Sequence, residues 1–432
     1  MLPLKGEPIF VRNLQKIVIA AFVLSVSILA SAQVVFNVIT VPGAGANLAT
    51  AVNNSSQTVV NGDSSSNDVT VWSRASGFED LGLSSGSNIV YAINDSGLVA
   101  GAGSGSGVAQ AFLWQPGTGA EWLGSLGGGL STANAVSADG TVAGLSYTSS
   151  SQQHAFVWTQ NGGMQDLTPN LTSNGGATAT AINSSDEVVG YYFPNGSQSP
   201  VGFYWTQGGG LQSFGPAGTL AEAVNNAGTI VGQAPNASGY NDAFSWTASG
   251  GMVDLGTLGG AWSMALGINK NGWIVGTSLT SAKGGIVHGF LWTQSGGMQD
   301  LAVLGKLSKA LQPSSMQVNN FGVIAVASND GVMLLSPKME ATISSSLNPS
   351  TLGQPVTFTA TINSIAGPPP DGETVEFLVS GKVVGTVALS GGVAQFTTSS
   401  IPSGTHVVSV SYGGDANYLA SNLAEVHQTV EK

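Results

Sequence analysis

The sequence predicts an all-β fold, a closed ring of four-stranded blades followed by a smaller β-sandwich, on three observations. A Trp-bearing unit recurs, with Trp72, Trp114, Trp158, Trp205, Trp246 and Trp292 spaced by 42, 44, 47, 41 and 46 residues. Gly accounts for 61 of 432 residues and charged residues for only 8%, against 42% apolar, a balance that means many turns between short strands. From Met339 the period disappears and the composition shifts to Thr, Val, Ser and Pro without Trp. A period near 40 to 50 residues with four short strands per unit is the pattern of β-propeller blades, none of which can bury its faces without neighbours.

The unit is plainest at 251–276, GMVDLGTLGGAWSMALGINKNGWIVG. It reads as a short strand at Met252 to Leu255, a Gly-rich connection, an Ala-rich strand ending at Asn269, a tight turn and a strand ending at Gly276; the apolar Gly289 to Trp292 supplies the fourth strand. The Ala-Ile-Asn-like triplet occurs seven times: Ala51-Val52-Asn53, Ala92-Ile93-Asn94, Ala135-Val136-Ser137, Ala181-Ile182-Asn183, Ala223-Val224-Asn225, Gly267-Ile268-Asn269 and Gln317-Val318-Asn319. Seven triplets predict seven blades. The gap between blades narrows toward the axis, so the small-residue triplet strand is assigned innermost and the Asp-Leu-Gly strand outermost.

The seventh unit stops at Gly331 to Leu335 with no counterpart of the outermost strand. Phe36 to Val41 supplies it, because Val38 precedes Asn53 by fifteen residues, as Asp254 precedes Asn269. A ring closed by this N-terminal strand has no exposed sheet edge. The Asn-x-x-Gly turns, such as Asn269-Lys270-Asn271-Gly272, are explained by Asn capping the bend and Gly taking a positive φ. A calcium loop needs oxygen ligands at alternating positions, and no turn has that run.

Residues 1–32 have the form of an export signal: Lys5, Arg12 and Lys16, then the apolar Ile17 to Leu29, then Ala30-Ser31-Ala32. The mature chain then starts at Gln33. The alternative is an uncleaved anchor, since apolar character persists through Phe36 and about twenty residues suffice to span a membrane. Signal removal leaves 8 basic and 22 acidic residues, a formal charge of −14, which argues against nucleic acid or anionic membranes as partners. Without cysteine, an exported chain has no disulfide and no lipoprotein-type anchor.

The units resemble the HAF repeats of predicted exported bacterial proteins. The residues that carry the resemblance are His154-Ala155-Phe156-Val157-Trp158-Thr159-Gln160, Gly162-Gly163-Met164-Gln165-Asp166-Leu167, Gly251 to Gly260, and His288-Gly289-Phe290-Leu291-Trp292-Thr293-Gln294. It spans nearly all of 33–337. Four units depart at the His position, with Asp68, Gln110, Gly202 and Asp242 at or near it, which argues against a fixed chemical role for that His. The resemblance implies export and architecture, with no activity attached. Residues 338–432 resemble bacterial Ig-like repeats, through Leu347-Asn348-Pro349-Ser350, Gly353 to Ala360, Gly404-Thr405-His406 and Tyr412-Gly413-Gly414-Asp415-Ala416-Asn417-Tyr418. Asp415 is read as fixing a turn.

No catalytic, cofactor or metal residue is assigned. Propeller enzymes need convergent acids, His or metal near the axis, and the innermost strands are nearly uncharged, with Glu222 the exception. His154, His288, His406 and His427 show no metal-binding spacing. Variable loops on a rigid frame favour recognition. Tyr191, Tyr192, Tyr240 and Trp262 fall on the face made by the second-to-third-strand loops and the connections between blades, where exposed aromatics suit sugar rings; the competing reading is that Trp262 and one of Tyr191 and Tyr192 fill gaps between blades. The expectation is therefore an exported, monomeric, non-catalytic binding or adhesion protein, its partner an extracellular polysaccharide or surface protein. The alternatives are a passive structural surface protein or a propeller-type glycan hydrolase or lyase.

Overall fold

In the computed structural model the described residues are 35–42, 51–62, 69–83, 87–104, 107–172, 176–281, 285–307, 313–328 and 331–432. The export-signal segment lies outside them. Before residue 340 the described residues form seven antiparallel sheets, six of four strands and one of three. Sheets 2 to 6 each use four consecutive strands, as in sheet 6: Gly259–Ile268, Ile274–Thr280, Val287–Thr293 and Gly297–Asp300. Sheet 1 has Thr58–Val60, Thr70–Ser73 and Gly77–Asp80, and its triplet contributes a single bridge, Val52 to Thr58. Its expected innermost strand runs back into 43–50, outside the described residues.

Sheet 7 takes its fourth strand from the other end of the chain. Phe36–Thr40 pairs antiparallel with Gly331–Pro337, Val38 opposite Leu335, while Asp300 is followed by the short helix Leu301–Leu304. Each sheet shares an apolar layer with the next. Sheets 3 and 4 meet through Ala155, Val157, Ala179 and Phe203, and sheets 6 and 7 through Leu291, Met316, Leu335 and Phe36. The sequence of layers returns to its start, because Val323, Ala325 and Leu334 of sheet 7 pack with Val60 and Trp72 of sheet 1.

Two local devices set this geometry. The first strands of sheets 2 to 6 bulge at Tyr91, Asn134, Thr180, Glu222 and Leu266, each skipped in the pairing with the second strand. Near each bulge a glycine of the second strand faces a fully buried Phe of the third, as Gly276 faces Phe290. A Cβ on Gly276 would lie 2.1 Å from the Met264 carbonyl oxygen and 2.8 Å from the Phe290 ring, so only glycine fits.

The second device is a chain of asparagines. Each triplet Asn folds its own turn with Oδ1, as Asn269 Oδ1 accepts from Asn271 N–H and Trp273 N–H at 3.0 Å. Its Nδ2 donates to the triplet carbonyl of the next sheet: Asn53 to Asn94 O (3.0 Å), Asn94 to Ser137 O (2.8 Å), Asn183 to Asn225 O (3.1 Å), Asn225 to Asn269 O (3.2 Å), Asn269 to Asn319 O (2.9 Å) and Asn319 to Asn53 O (3.0 Å). Turn chemistry therefore explains half of the asparagine side chain and the contact between sheets explains the other half. The chain breaks only at Ser137, whose hydroxyl donates to Asp139 instead. That bond holds the Asp139 carboxyl below the usual range, while burial, and next the Asp139 charge, push the neighbouring Asp186 up.

The His-bearing strands have a structural explanation as well. His154 Nδ1 meets Asp166 Oδ2 at 2.7 Å and His288 Nδ1 meets Asp300 Oδ2 at 2.6 Å, tying third strand to fourth. His154 Nε2 is held by the Leu171 carbonyl at 3.2 Å, so both ring nitrogens are engaged.

Residues 340–431 form a sandwich of a three-stranded sheet (Glu340–Ser345, Val356–Asn363, Val393–Thr398) and a five-stranded one. Its core holds Phe358, Ile362, Phe377, Val410, Tyr412 and Tyr418. Only Lys338 and Met339 separate it from the ring's last strand, and both parts belong to one compact unit. Asp415 fixes a turn, its Oδ1 accepting from Asn417 N–H (2.8 Å) and Tyr418 N–H (2.7 Å). That turn presses Asn417 onto the joint between sheets 1 and 7, where it bonds Ser56, Asn319, Ser336 and the Asn54 carbonyl.

Candidate functional site

Strands alternate in direction, so the turns after the first and third strands lie at one end of the ring. The loops after the second strand and the connections between sheets lie at the other. The sandwich meets the first end at the joint of sheets 1 and 7: Asn417 reaches their triplet turns, and Arg74, in a third-to-fourth-strand turn, donates to the Asp415 and Tyr418 carbonyls. The opposite end carries the aromatic residues.

Tyr191 and Tyr192 both lie there, half-buried at the end of Val188–Tyr192, yet they do not form one surface. Successive strand residues face opposite ways. Tyr192 turns toward sheet 3, packing on Phe203 with ring centroids 6.5 Å apart and sharing a 3.0 Å hydrogen bond with Ser213 Oγ. With Leu167, Pro169, Leu171 and Leu211 it lines a cavity of about 260 Å³. Tyr191 turns toward sheet 5, where burial, and next the charge of Glu222, push its phenol above the usual range. Tyr240 is 55% exposed at the tip of the following sheet, its N–H bonded to Asn236 Oδ1. Trp262 is half-buried near the start of Gly259–Ile268, and its carbonyl accepts from Ser278 Oγ. The four residues thus lie at one end of the ring, on three consecutive sheets, with Tyr240 the most open.

The structure adds members that sequence reasoning left out. Tyr147 O–H donates to Gln153 Oε1 (3.4 Å), and Gln153 Nε2 donates to Thr178 Oγ1 (3.0 Å) and the Ala177 carbonyl (3.2 Å). Thr178 hydrogen-bonds Tyr191, whose ring stands edge-on to Phe193 with centroids 6.3 Å apart and whose phenol feels the charge of Glu222. A strip of hydroxyls, an amide and one carboxyl therefore crosses sheets 3, 4 and 5. Burial pushes the Glu222 carboxyl up to about 7. Tyr147 and Gln153 flank a second-to-third-strand loop, and that placement of polar residues beside a loop was the signal available in the sequence.

Such a strip can donate and accept hydrogen bonds, and its rings offer flat apolar faces, the mixture that polar ligands with apolar faces require. Among the described residues no group of three or more His, Cys, Asp or Glu is placed to hold a metal ion, and no helix is long and apolar enough to cross a membrane.

The molecule is thus an all-β protein of four-stranded sheets with a C-terminal Ig-like domain. Residues 343–431 match the family model described as bacterial Ig-like domain (group 3). No curated protein matches the chain. Among solved structures it is similar to virginiamycin B lyase from Staphylococcus aureus (9% identity over 69% of this chain and 98% of that one, TM-score 0.48). It is similar also to a streptogramin B lyase (11% identity, 71% and 99%, TM-score 0.44) and to the extracellular domain of a hybrid two-component system from B. thetaiotaomicron (11% identity, 90% and 56%, TM-score 0.43).

Proposed function

We propose that this chain is an exported, non-catalytic binding protein, a seven-bladed β-propeller whose aromatic end recognises extracellular carbohydrate while the Ig-like domain holds the other end. The observation that carries the reading is the division between the two ends. Trp262, Tyr240, Tyr191, Tyr192 and Tyr147 lie at one end, Tyr240 exposed and the others half-buried, while at the opposite end the Asn417 segment holds the turns of sheets 1 and 7. Tyrosine and tryptophan combine a flat apolar face with a hydrogen-bonding tip, which matches the two faces of a sugar ring.

Seven triplets, seven sheets among the described residues before 340 and a cyclic set of apolar layers support the blade count. Export is supported by the basic, apolar and small-residue segments of 1–32 and by the HAF-repeat resemblance. A structural role for His154 is supported by its two bonds, to Asp166 Oδ2 and to the Leu171 carbonyl.

The test is binding of residues 33–432 to a panel of neutral, acidic and amine-bearing polysaccharides, beside Tyr240→Ala and Trp262→Ala variants. Saturable binding, weakened about tenfold by Tyr240→Ala with the melting temperature unchanged, is the expected result. No binding to any polysaccharide by the folded protein would overturn the reading and favour protein adhesion or a passive structural role.

A further inference from the structure

The five bulged residues, Tyr91, Asn134, Thr180, Glu222 and Leu266, are unpaired toward their own second strands and half-buried. The first strand has no sheet neighbour on its other side, and side chains at these positions meet the next sheet, Leu266 packing on the layer shared by sheets 6 and 7. Two of them reach one sheet onward: Asn134 Nδ2 donates to the Ala179 carbonyl (2.8 Å) and Thr180 Oγ1 to the Ala221 carbonyl (2.9 Å). In both cases the residue addressed is the one before the next bulge, and Thr180 Oγ1 also lies 3.2 Å from the Val189 carbonyl of its own sheet. The corresponding residue one sheet on from Glu222 is Ala265, which precedes the bulge at Leu266.

A carbonyl accepts hydrogen bonds and a carboxylate accepts them too, so an ionised Glu222 has no donor to offer such a carbonyl, whereas its counterparts Asn134 and Thr180 supply one. The first strands carry no Lys, Arg or His to neutralise it. Around it stand Thr180 on sheet 4 and Leu266 on sheet 6, and the titratable group that its charge reaches is the Tyr191 phenol.

We infer that Glu222 and the Ala265 carbonyl form a site for an ammonium group presented from the aromatic end, which makes an amine-bearing sugar the preferred class of ligand. An ammonium has three donors and can serve both acceptors at once, whereas a hydroxyl has one. Charge assistance strengthens the bond to the carboxylate. The negative charge of the whole chain draws cations toward it. Burial that raises the carboxyl is the cost of leaving the anion without a partner, a cost that a bound cation offsets.

This inference rests on glycan recognition at the aromatic end, and the experiment separates the two. Oligomers of glucosamine and of N-acetylglucosamine are titrated at pH 7 into residues 33–432 and into Glu222→Gln, which keeps the shape and removes the charge. The expected result is a preference of at least about tenfold for the free amine in the parent, abolished in Glu222→Gln, whose circular dichroism spectrum and cooperative melt report that it is folded. Equal affinity for both oligomers in the parent, or a preference that survives in Glu222→Gln, would overturn the ammonium site and leave glycan recognition standing. Failure of both oligomers to bind the parent would overturn the ammonium site, and failure of every polysaccharide of the panel would overturn the reading beneath it as well.

Discussion

The Asn319 side chain donates to the side-chain oxygen of Asn417 at 2.8 Å, at the one joint where the ring's last sheet meets its first. The same oxygen accepts from Ser56 Oγ at 2.8 Å, and Asn417 Nδ2 donates to the Asn54 carbonyl at 3.0 Å. An Ig-like domain on a flexible linker would act as a spacer. Here it acts as a clasp on the closure. Asn417→Ala leaves buried partners unsatisfied, and denaturant unfolding of residues 33–432 is expected to show a loss of about 2–3 kcal/mol. Asn422→Ala, on an exposed part of the same domain, is expected to stay within about 0.5 kcal/mol.

Closure by the N-terminal strand depends on Phe36, 1% exposed and packed against Leu291, Leu301 and Leu335. Truncation to alanine removes most of that side chain from a layer shared by two sheets. Phe36→Ala is expected to cost about 3–4 kcal/mol. Hydrogen exchange should show the amides of Phe36–Thr40 losing protection before those of sheets 3 to 5.

The glycine facing Phe290 makes a sharper steric prediction. Gly276→Ala places a methyl group 2.1 Å from a backbone oxygen that the bulge at Leu266 holds in place. The expected loss is about 3 kcal/mol or more by thermal or denaturant unfolding. Gly208→Ala, where a Cβ meets nothing within 4 Å, is expected to be near neutral.

Glu222 ties stability to pH. Its folded carboxyl titrates near 7, above the 4.5 of the unfolded chain, so the folded state binds the proton more tightly. Its contribution is fully present below pH 4.5 and is lost as pH rises through 7. Stability is expected to fall by on the order of 2 kcal/mol between pH 5 and pH 8 on account of this group, less than the full shift because the side chain is partly exposed. Glu222→Gln should flatten that part of the profile in a series of denaturant melts.

Closure was legible because it is a matter of spacing: Val38 stands before Asn53 as Asp254 stands before Asn269, and it pairs with Leu335. The graded strands were legible because small and large side chains sort by distance from the axis, and Ala179 and Phe203 meet in one layer accordingly. The second bond of each asparagine was not, since Asn183 reaches Asn225 O only through the angle between sheets, which no local pattern encodes. Pairing of His154 with Asp166 required the register of the third and fourth strands. Tyr191 and Tyr192 were taken together because they are adjacent, although alternation along a strand sends one to Glu222 and the other to Phe203. The Asn417 contact joins residues some hundreds of positions apart in the chain and left no trace in either repeat.

Recognition at the aromatic end is tested most directly by hydrogen exchange on residues 33–432 with and without a saturating polysaccharide taken from the binding panel. Protection is predicted in the loops at 149–152, 193–200 and 236–240 and around Trp262, with the Asn turns and the sandwich unchanged. Protection confined to the sandwich or to the Asn turns would contradict the account.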